Sequence, residues 1–485
     1  MKLKTSLLPH QIPVVEKLRQ IKVGALYMEM GTGKTRTALE LIDIRLSAGK
    51  ADHVLWLCPC SVKENLRRDI IKHAGGIQDI TICGIETLSS SIRENVRLLK
   101  LVQSKNVFLV VDESNLVKNH RALRTQNIIR ISEYCKYKLI LNGTPISKCE
   151  KDLFSQWYIL DWRILGYRSF WSFAANHLEY DDRIKGRIVN TLNVDYLVRK
   201  IAPYTYQIKK SECLDLPSKT YGTKYYYFTD MQAAHYYQVA DELLFQLDEL
   251  KPHTIYRLFS GLQSVISGFR VDVGREHMQR EPFFKNPMDN PRMDLLFDLL
   301  DRTDEKAIVF CRYTQEIQDI VSIANERYGA GSAVAFYGEL SQRKRQESIQ
   351  AFENNSRIFV ANKTCAGYGL NLQFCSYVIY YNNDWDYATR SQSEDRVHRI
   401  GQQHNVHIID ICAANTLDER ILKCLWRKEN LIDNFKAEIE KQKDKESFVK
   451  FFIYAKDRKG RLKVRDTCTK RVEALKELSE DAQNI

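Results

Sequence analysis

Residues 26–42 read LYMEMGTGKTRTALELI. An apolar run enters a glycine turn, and the turn opens a helical pattern. Strand, glycine loop and helix in that order is the arrangement that cradles phosphate. The loop GTGKT contributes Gly31, Thr32, Gly33, Lys34 and Thr35. Its glycines let backbone N–H groups turn toward phosphate oxygens at a helix N-terminus. Lys34 would reach the β and γ oxygens, and the Thr35 hydroxyl would hold Mg²⁺. The strict pattern wants a glycine six positions before the lysine, where this chain has Met28. A plain turn and helix cap with a chance lysine is the bland alternative. The strand–loop–helix context favours nucleotide binding, with ATP and Mg²⁺ as the implied ligands.

Outward from this loop, short apolar runs alternate with helical patterns. ALYM (25–28), HVLWLC (53–58), ITIC (80–83), NVFLVV (106–111) and YKLILN (137–142) read as buried strands. That alternation predicts a parallel sheet covered by helices on both faces. The rhythm lapses over 219–290, where MQAAHYYQVADELLFQLDEL and IYRLFSGLQSVISGF read as helices and GREHMQREPFFKNPMDNP as a linker. It returns in KAIVFC (306–311), AVAFYG (333–338), RIFVAN (357–362), YVIYYN (377–382) and VHIIDI (406–411), which predict a second parallel α/β domain. The expected division is an ATPase lobe over 1–215, a helical inter-lobe region over 216–290, a second lobe over 291–432 and a basic tail over 433–485. In that tail a hairpin is expected around Lys459 and Gly460. KDRKGRLKVR there carries six cations and one acid, so it could add to a nucleic-acid footprint or form a solvated hairpin.

Two further strings carry chemistry. NVFLVV ends in Asp112 and Glu113, at the place where α/β sheets hold ligands. Asp112 would hold Mg²⁺, and Glu113 would orient or deprotonate an attacking water. Acids also start helices, so the pair gains meaning only beside the phosphate loop. Residues 392–402 read QSEDRVHRIGQ. On a helix, Arg396 and Arg399 would share a face and repel by a few tenths of a kcal/mol. A solvated face or ion pairs with Glu394 and Asp395 would explain them blandly. A γ-phosphate arriving from solution explains them better, because an arginine finger stabilises its transition state by a factor of about 10³ or more. Lys34 and Arg399 fall in different predicted domains. ATP would then lie between the domains, closing the cleft on binding and releasing it on hydrolysis.

The ordered set Gln11, MGTGKT, VVDESNLVKN, LNGTPISK, TCAGYGLNLQ and QSEDRVHRIGQ resembles helicase superfamily two, and RIGQ with LVKN resembles its Swi/Snf group of double-stranded DNA translocases. The resemblance runs from about residue 5 to 425. It implies two tandem RecA-like parallel-sheet lobes. It also implies that Gln11 reads adenine, that Pro59 and Ser61 in LCPCSVKENL lie by the DNA backbone, and that Gly143, Thr144 and Pro145 couple hydrolysis to lobe movement. Thr364 matches a backbone-contacting position and Gly369 one near the nucleotide. Gln392 belongs with the arginine fingers as a coupling residue. Asn115 departs from the histidine that many relatives carry after the acidic triplet. The lean second lobe predicts a compact form without accessory domains, of a viral or bacterial kind.

Bulk properties set the outer limits. A chain of 485 residues is too long for one core. Hydrophobic residues at 44% and charged residues at 28% suit a globular protein. No apolar stretch is long enough to span a bilayer, and the N-terminus lacks a secretory pattern. Twelve cysteines without a CxxC pair predict reduced thiols, no zinc site, and a cytoplasmic or nuclear location. The net charge of +12 suits a polyanionic partner. Together these features predict an ATP hydrolase driven along double-stranded DNA through sequence-independent phosphate contacts. The alternatives are a strand-separating DNA or RNA helicase, the motor subunit of a restriction or repair complex, and an inactive DNA-binding scaffold.

Overall fold

The computed structural model describes residues 3–75, 78–143, 150–180, 188–245, 252–274, 278–363, 370–385 and 387–427. The chain divides into two compact units that meet in sequence at Leu216 and Pro217.

The first unit is built on strands β1 (Val23–Met28), β2 (His53–Cys58), β3 (Ile80–Gly84), β4 (Val107–Val111), β5 (Tyr137–Asn142) and β8 (Thr205–Ile208). They form one parallel sheet in the order β3-β2-β4-β5-β1-β8. Side chains alternate across a strand, and here both faces are buried. Ala25 and Tyr27 enter one core with Leu55, Leu57 and Leu109. Leu26 and Met28 enter the other with Val54, Trp56 and Val110. This double covering is why the strands read as unbroken apolar runs. A small antiparallel pair, β6 (Leu178–Tyr180) and β7 (Ile188–Thr191), lies outside the sheet.

The second unit repeats the plan. Strands β9 (Lys219–Tyr226), β12 (Ala307–Cys311), β13 (Ala333–Phe336), β14 (Ile358–Asn362), β15 (Tyr377–Tyr380) and β16 (Val406–Ala413) form a parallel sheet in the order β13-β14-β12-β15-β16-β9. The molecule is therefore an α/β protein with two parallel-sheet units, as its alternating pattern predicts, and these match the two RecA-like lobes that the resemblance implies. No described helix is long and apolar enough to cross a membrane.

Residues 216–290 differ from the expected helical inter-lobe region. They open with β9, the edge strand of the second sheet, paired along β16 from Lys219 to Tyr226. The two expected helices do form, over Asp230–Phe245 and Pro252–Ile266. Their Tyr236, Val239, Leu258 and Leu262 join the core that also holds Val309 and Ile411 of the second sheet. The stretch expected as a linker contains β11 (Met278–Pro282), hydrogen-bonded antiparallel to β10 (Phe269–Val273). The tail expected over 433–485, with its hairpin, lies outside the described residues.

Candidate functional site

In the first unit the singled-out segments follow the C-terminal ends of the parallel strands, where such sheets hold ligands. The phosphate loop leaves β1, Pro59 and Ser61 follow β2, Asp112 and Glu113 follow β4, and Gly143 follows β5. Strand β5 lies between β4 and β1, so its end falls between the acid pair and the loop.

Met28, at the position of the missing first glycine, is the last residue of β1 and still pairs with Ile208. Its carbonyl accepts from the Lys34 ammonium at 2.8 Å. Gly33 caps the helix Lys34–Ser47 with φ +87°, in the left-handed region. A Cβ there would also meet the Gln11 amide nitrogen at 2.2 Å. Only glycine answers both demands. Gln11 is 1% exposed. Its Nε2 donates to the Thr32 and Gly33 carbonyls at 3.2 and 3.3 Å, and its Oε1 accepts from Leu8 N at 2.9 Å. Thr32 is buried and its hydroxyl donates to the Glu29 carbonyl at 2.8 Å. Thr35 lies in the first turn of the helix, half-buried. The structure thus brings Gln11 onto the phosphate loop through its backbone.

The acid pair is bound into the sheet edge. Asp112 N donates to the Leu57 carbonyl at 2.7 Å, and Glu113 N donates to Asp112 Oδ1 at 2.9 Å. Burial pushes the Asp112 carboxyl up to about 7; the Glu113 charge adds to the rise and Lys34 opposes it. Glu113 is one of three non-glycine residues among those described with positive φ, at 49°. Asn115, the departure from the histidine of relatives, donates through Nδ2 to Asn142 Oδ1 at 3.1 Å. That same oxygen accepts from Gly143 N at 2.9 Å. One asparagine side chain therefore joins the acid segment to the start of the segment after β5. Thr144 and Pro145 lie outside the described residues. Pro59 is buried and caps the turn Cys60–Val62, whereas Ser61 is exposed.

In the second unit the arginines do not lie on a helix. The helix Tyr387–Glu394 stops before them, and residues 395–401 are turns. Leu372 N donates to the Arg396 carbonyl at 3.0 Å, and Gln402 Nε2 to the Cys375 carbonyl at 2.9 Å. Arg399 donates to Asn371 Oδ1. Gln392 is exposed, and both arginines are half-buried. Glu394 does not serve them as the sequence suggests. Its carboxylate accepts from Arg390 Nε at 2.8 Å, Lys219 Nζ at 2.9 Å and the Tyr221 hydroxyl at 2.9 Å. Burial would raise its proton affinity, but the Arg390 and Lys219 charges hold it below the usual range. Thr364 and Gly369 lie outside the described residues.

Arg390 is the residue the sequence reading missed. It is buried, with its guanidinium 3.4 Å from the Tyr380 ring centroid and Nη2 donating to Asp410 Oδ2 at 3.2 Å. Its spacing of four from Glu394 was the available signal. Asn142, the last residue of β5, carried no signal beyond its place at a strand end. Among the described residues no three His, Cys, Asp or Glu side chains gather as a metal site. A divalent ion would need Thr35 and Asp112 oxygens completed by phosphate and water, which suits Mg²⁺.

Residues 75–267 match the SNF2-related domain, and residues 291–401 match the helicase conserved C-terminal domain. The chain is similar to the uncharacterized ATP-dependent helicase YqhH of Bacillus subtilis, 23% identical over 89% of this chain and 80% of the relative. It is similar to an uncharacterized ATP-dependent helicase of Mycoplasma genitalium, 24% identical over 84% of this chain and 40% of the relative. The ISWI chromatin-remodeling complex ATPase ISW2 of Saccharomyces cerevisiae is 24% identical over 84% of this chain and 38% of its own length. The chain thus spans most of the Bacillus relative and well under half of the other two. Among solved structures, a Sulfolobus solfataricus SWI2/SNF2 ATPase core in complex with dsDNA is similar over 93% of this chain and 96% of that one, at 23% identity and a TM-score of 0.39.

Proposed function

We propose that this chain, whose residues 75–267 and 291–401 match the SNF2-related and helicase C-terminal domains, is an ATP hydrolase of that group, a DNA-stimulated motor that tracks along double-stranded DNA. The observation that carries the reading is the bridge from Asp112–Glu113 through Asn115 and Asn142 to Gly143. Through it, a change at the acids that would act at the γ-phosphate would reach the segment after β5.

The phosphates of ATP bind the backbone of Gly31–Thr35 and the Lys34 ammonium, and Lys34 leaves the Met28 carbonyl to do so. Thr35 and Asp112 would hold Mg²⁺, which would supply charge neutralisation to the phosphates. Glu113 orients the attacking water and takes its proton. Gln11 reads the base, for which its buried amide leaves the Thr32 and Gly33 carbonyls. Arg396 and Arg399 stabilise the γ-phosphate charge in the transition state, and Gly369 matches a family position near the nucleotide. Gly143, Thr144 and Gln392 pass the change to the lobes. Pro59, Ser61 and Thr364 line the path of the DNA backbone, and contacts to phosphate make binding sequence-independent and salt-sensitive. Because Pro59 is buried, its part is to set the turn that presents Ser61.

The names of the bacterial relatives keep strand separation as a second reading. Triplex displacement decides between the two. With ATP, a duplex translocase strips the third strand and leaves the duplex paired. Strands released from a forked duplex, with the triplex untouched, would favour the helicase.

A further inference from the structure

A segment ahead of Gln11 is tied to the helix that follows the phosphate loop. Arg36, two residues past Lys34, is 5% exposed. Its Nε donates to the Thr5 carbonyl at 3.1 Å and the Thr5 hydroxyl at 3.0 Å, and its Nη2 donates to the same carbonyl at 2.7 Å. Glu40, one turn on, pairs with its remaining nitrogen at 2.7 Å. From the other side the helix Lys63–Ala74 holds the segment. Lys4 N donates to the His73 carbonyl at 2.7 Å, and the Thr5 hydroxyl meets His73 Nδ1 at 2.8 Å. Leu3 and Leu7 pack on the apolar core beneath. Three residues further, Leu8 N holds Gln11 Oε1, and Gln11 holds the loop carbonyls. His10 Nε2 lies 2.9 Å from the Thr32 carbonyl.

A guanidinium that only stabilised its helix would be served by Glu40 alone. Here two of its nitrogens converge on one backbone carbonyl 31 residues earlier. Such a fork fixes direction as well as distance. We propose that Arg36 is a positioning residue for nucleotide recognition: through Thr5 it sets the segment bearing Gln11 against the phosphate loop, and so governs ATP affinity and base choice but not the chemical step. This rests on Gln11 reading the base. Phosphate and base contacts then move as one body with the helix Lys34–Ser47.

Steady-state hydrolysis of ATP and GTP by the full chain, with duplex DNA present, tests this on four variants beside the wild type. Arg36→Ala should raise the KM for ATP about tenfold, keep kcat within about twofold, and erase most of the preference for ATP over GTP. Arg36→Lys, a point charge without the fork, should restore part of that preference. Thr5→Val keeps the carbonyl and removes the hydroxyl, so it should shift KM and preference the same way by less. Gln11→Ala should lose the preference outright. If Gln11→Ala loses it and Arg36→Ala keeps it, the Arg36 proposal alone is overturned. If Gln11→Ala keeps it, base reading by Gln11 is wrong and the proposal falls with it. A collapse of kcat at unchanged KM in Arg36→Ala would also overturn it. Should Arg36→Ala fail to fold, Thr5→Val decides: unchanged KM and preference there refute the proposal.

Discussion

Glu113 holds a left-handed backbone conformation, φ 49° and ψ 54°, at the start of the turn Ser114–Val117. For a residue with a Cβ that costs about 1 kcal/mol or more, and such outliers gather at functional sites. The conformation turns the chain after β4 into the turn Ser114–Val117. Glu113→Gln keeps the backbone and removes the base. It should bind ATP and lower kcat by about a hundredfold or more. Glu113→Gly should be equally inactive yet melt no earlier than the wild type, because glycine relieves the strain. A clear drop in its melting temperature would show that the strain is not stored there. Asp112 gives a pH prediction. The folded carboxyl keeps its proton up to about 7, whereas an unfolded one loses it near 4, roughly. The folded state therefore binds more protons across that window, and stability falls as pH rises through it and levels above it. Mg²⁺ needs the carboxylate, so Mg-ATP binding should release more protons at pH 6.5 than at pH 8. Calorimetry in two buffers of different ionisation enthalpy reads this directly, and equal release at both pH values would count against Asp112 as a ligand.

At the scale of elements, Asn115 and Asn142 join the acid segment to the start of the segment after β5 at the C-terminal edge of the first sheet. Asn115→Ala leaves the acids in place and breaks the bond to Asn142. Its ATP turnover should stay near that of the wild type while triplex displacement per ATP falls. Equal loss of both would make Asn115 a structural residue only. Arg390 anchors the corresponding part of the second sheet, between Asp410, Glu394 and the Tyr380 ring. Arg390→Met leaves the buried Asp410 carboxylate without its cation, while Glu394 keeps Lys219, and should cost roughly 3–5 kcal/mol, read in denaturant unfolding of the second lobe. These elements were unequally legible. Strands β1 and β4 show in the sequence because helices cover both faces and leave no polar alternation. The edge strand β9, KTYGTKYY, exposes Tyr221 and Tyr225 and breaks its apolar pattern with glycine and lysines, so it passes for a loop before a helix. The acid pair and phosphate loop could be placed because each closes an apolar strand. The spacing of Arg396 and Arg399 would put them on one face if they lay on a helix, but helical spacing does not show where a helix stops. It stops at Glu394, where the chain turns to bring the Arg396 carbonyl to Leu372 N. The bridge through Asn142 is a contact between residues far apart in sequence, and no local pattern announces it.

For the whole molecule, the proposed reading assigns residues of both lobes to one reaction. The phosphate loop and acids belong to the first, and Arg396 and Arg399 to the second. Arg399→Ala should keep ATP affinity near that of the wild type and lower kcat by orders of magnitude. Normal turnover in that variant would make QSEDRVHRIGQ a structural segment. The net charge of +12 fits a partner bound through its phosphates, and affinity for duplex DNA should fall steeply and log-linearly with salt. The central claim is that duplex DNA drives the ATPase. The direct test is the rate of ATP hydrolysis by the purified chain, alone and with duplex DNA, single-stranded DNA or RNA. The account predicts strong stimulation by duplex DNA above the other two. Stimulation mainly by single strands or RNA, or none by any nucleic acid, would contradict it.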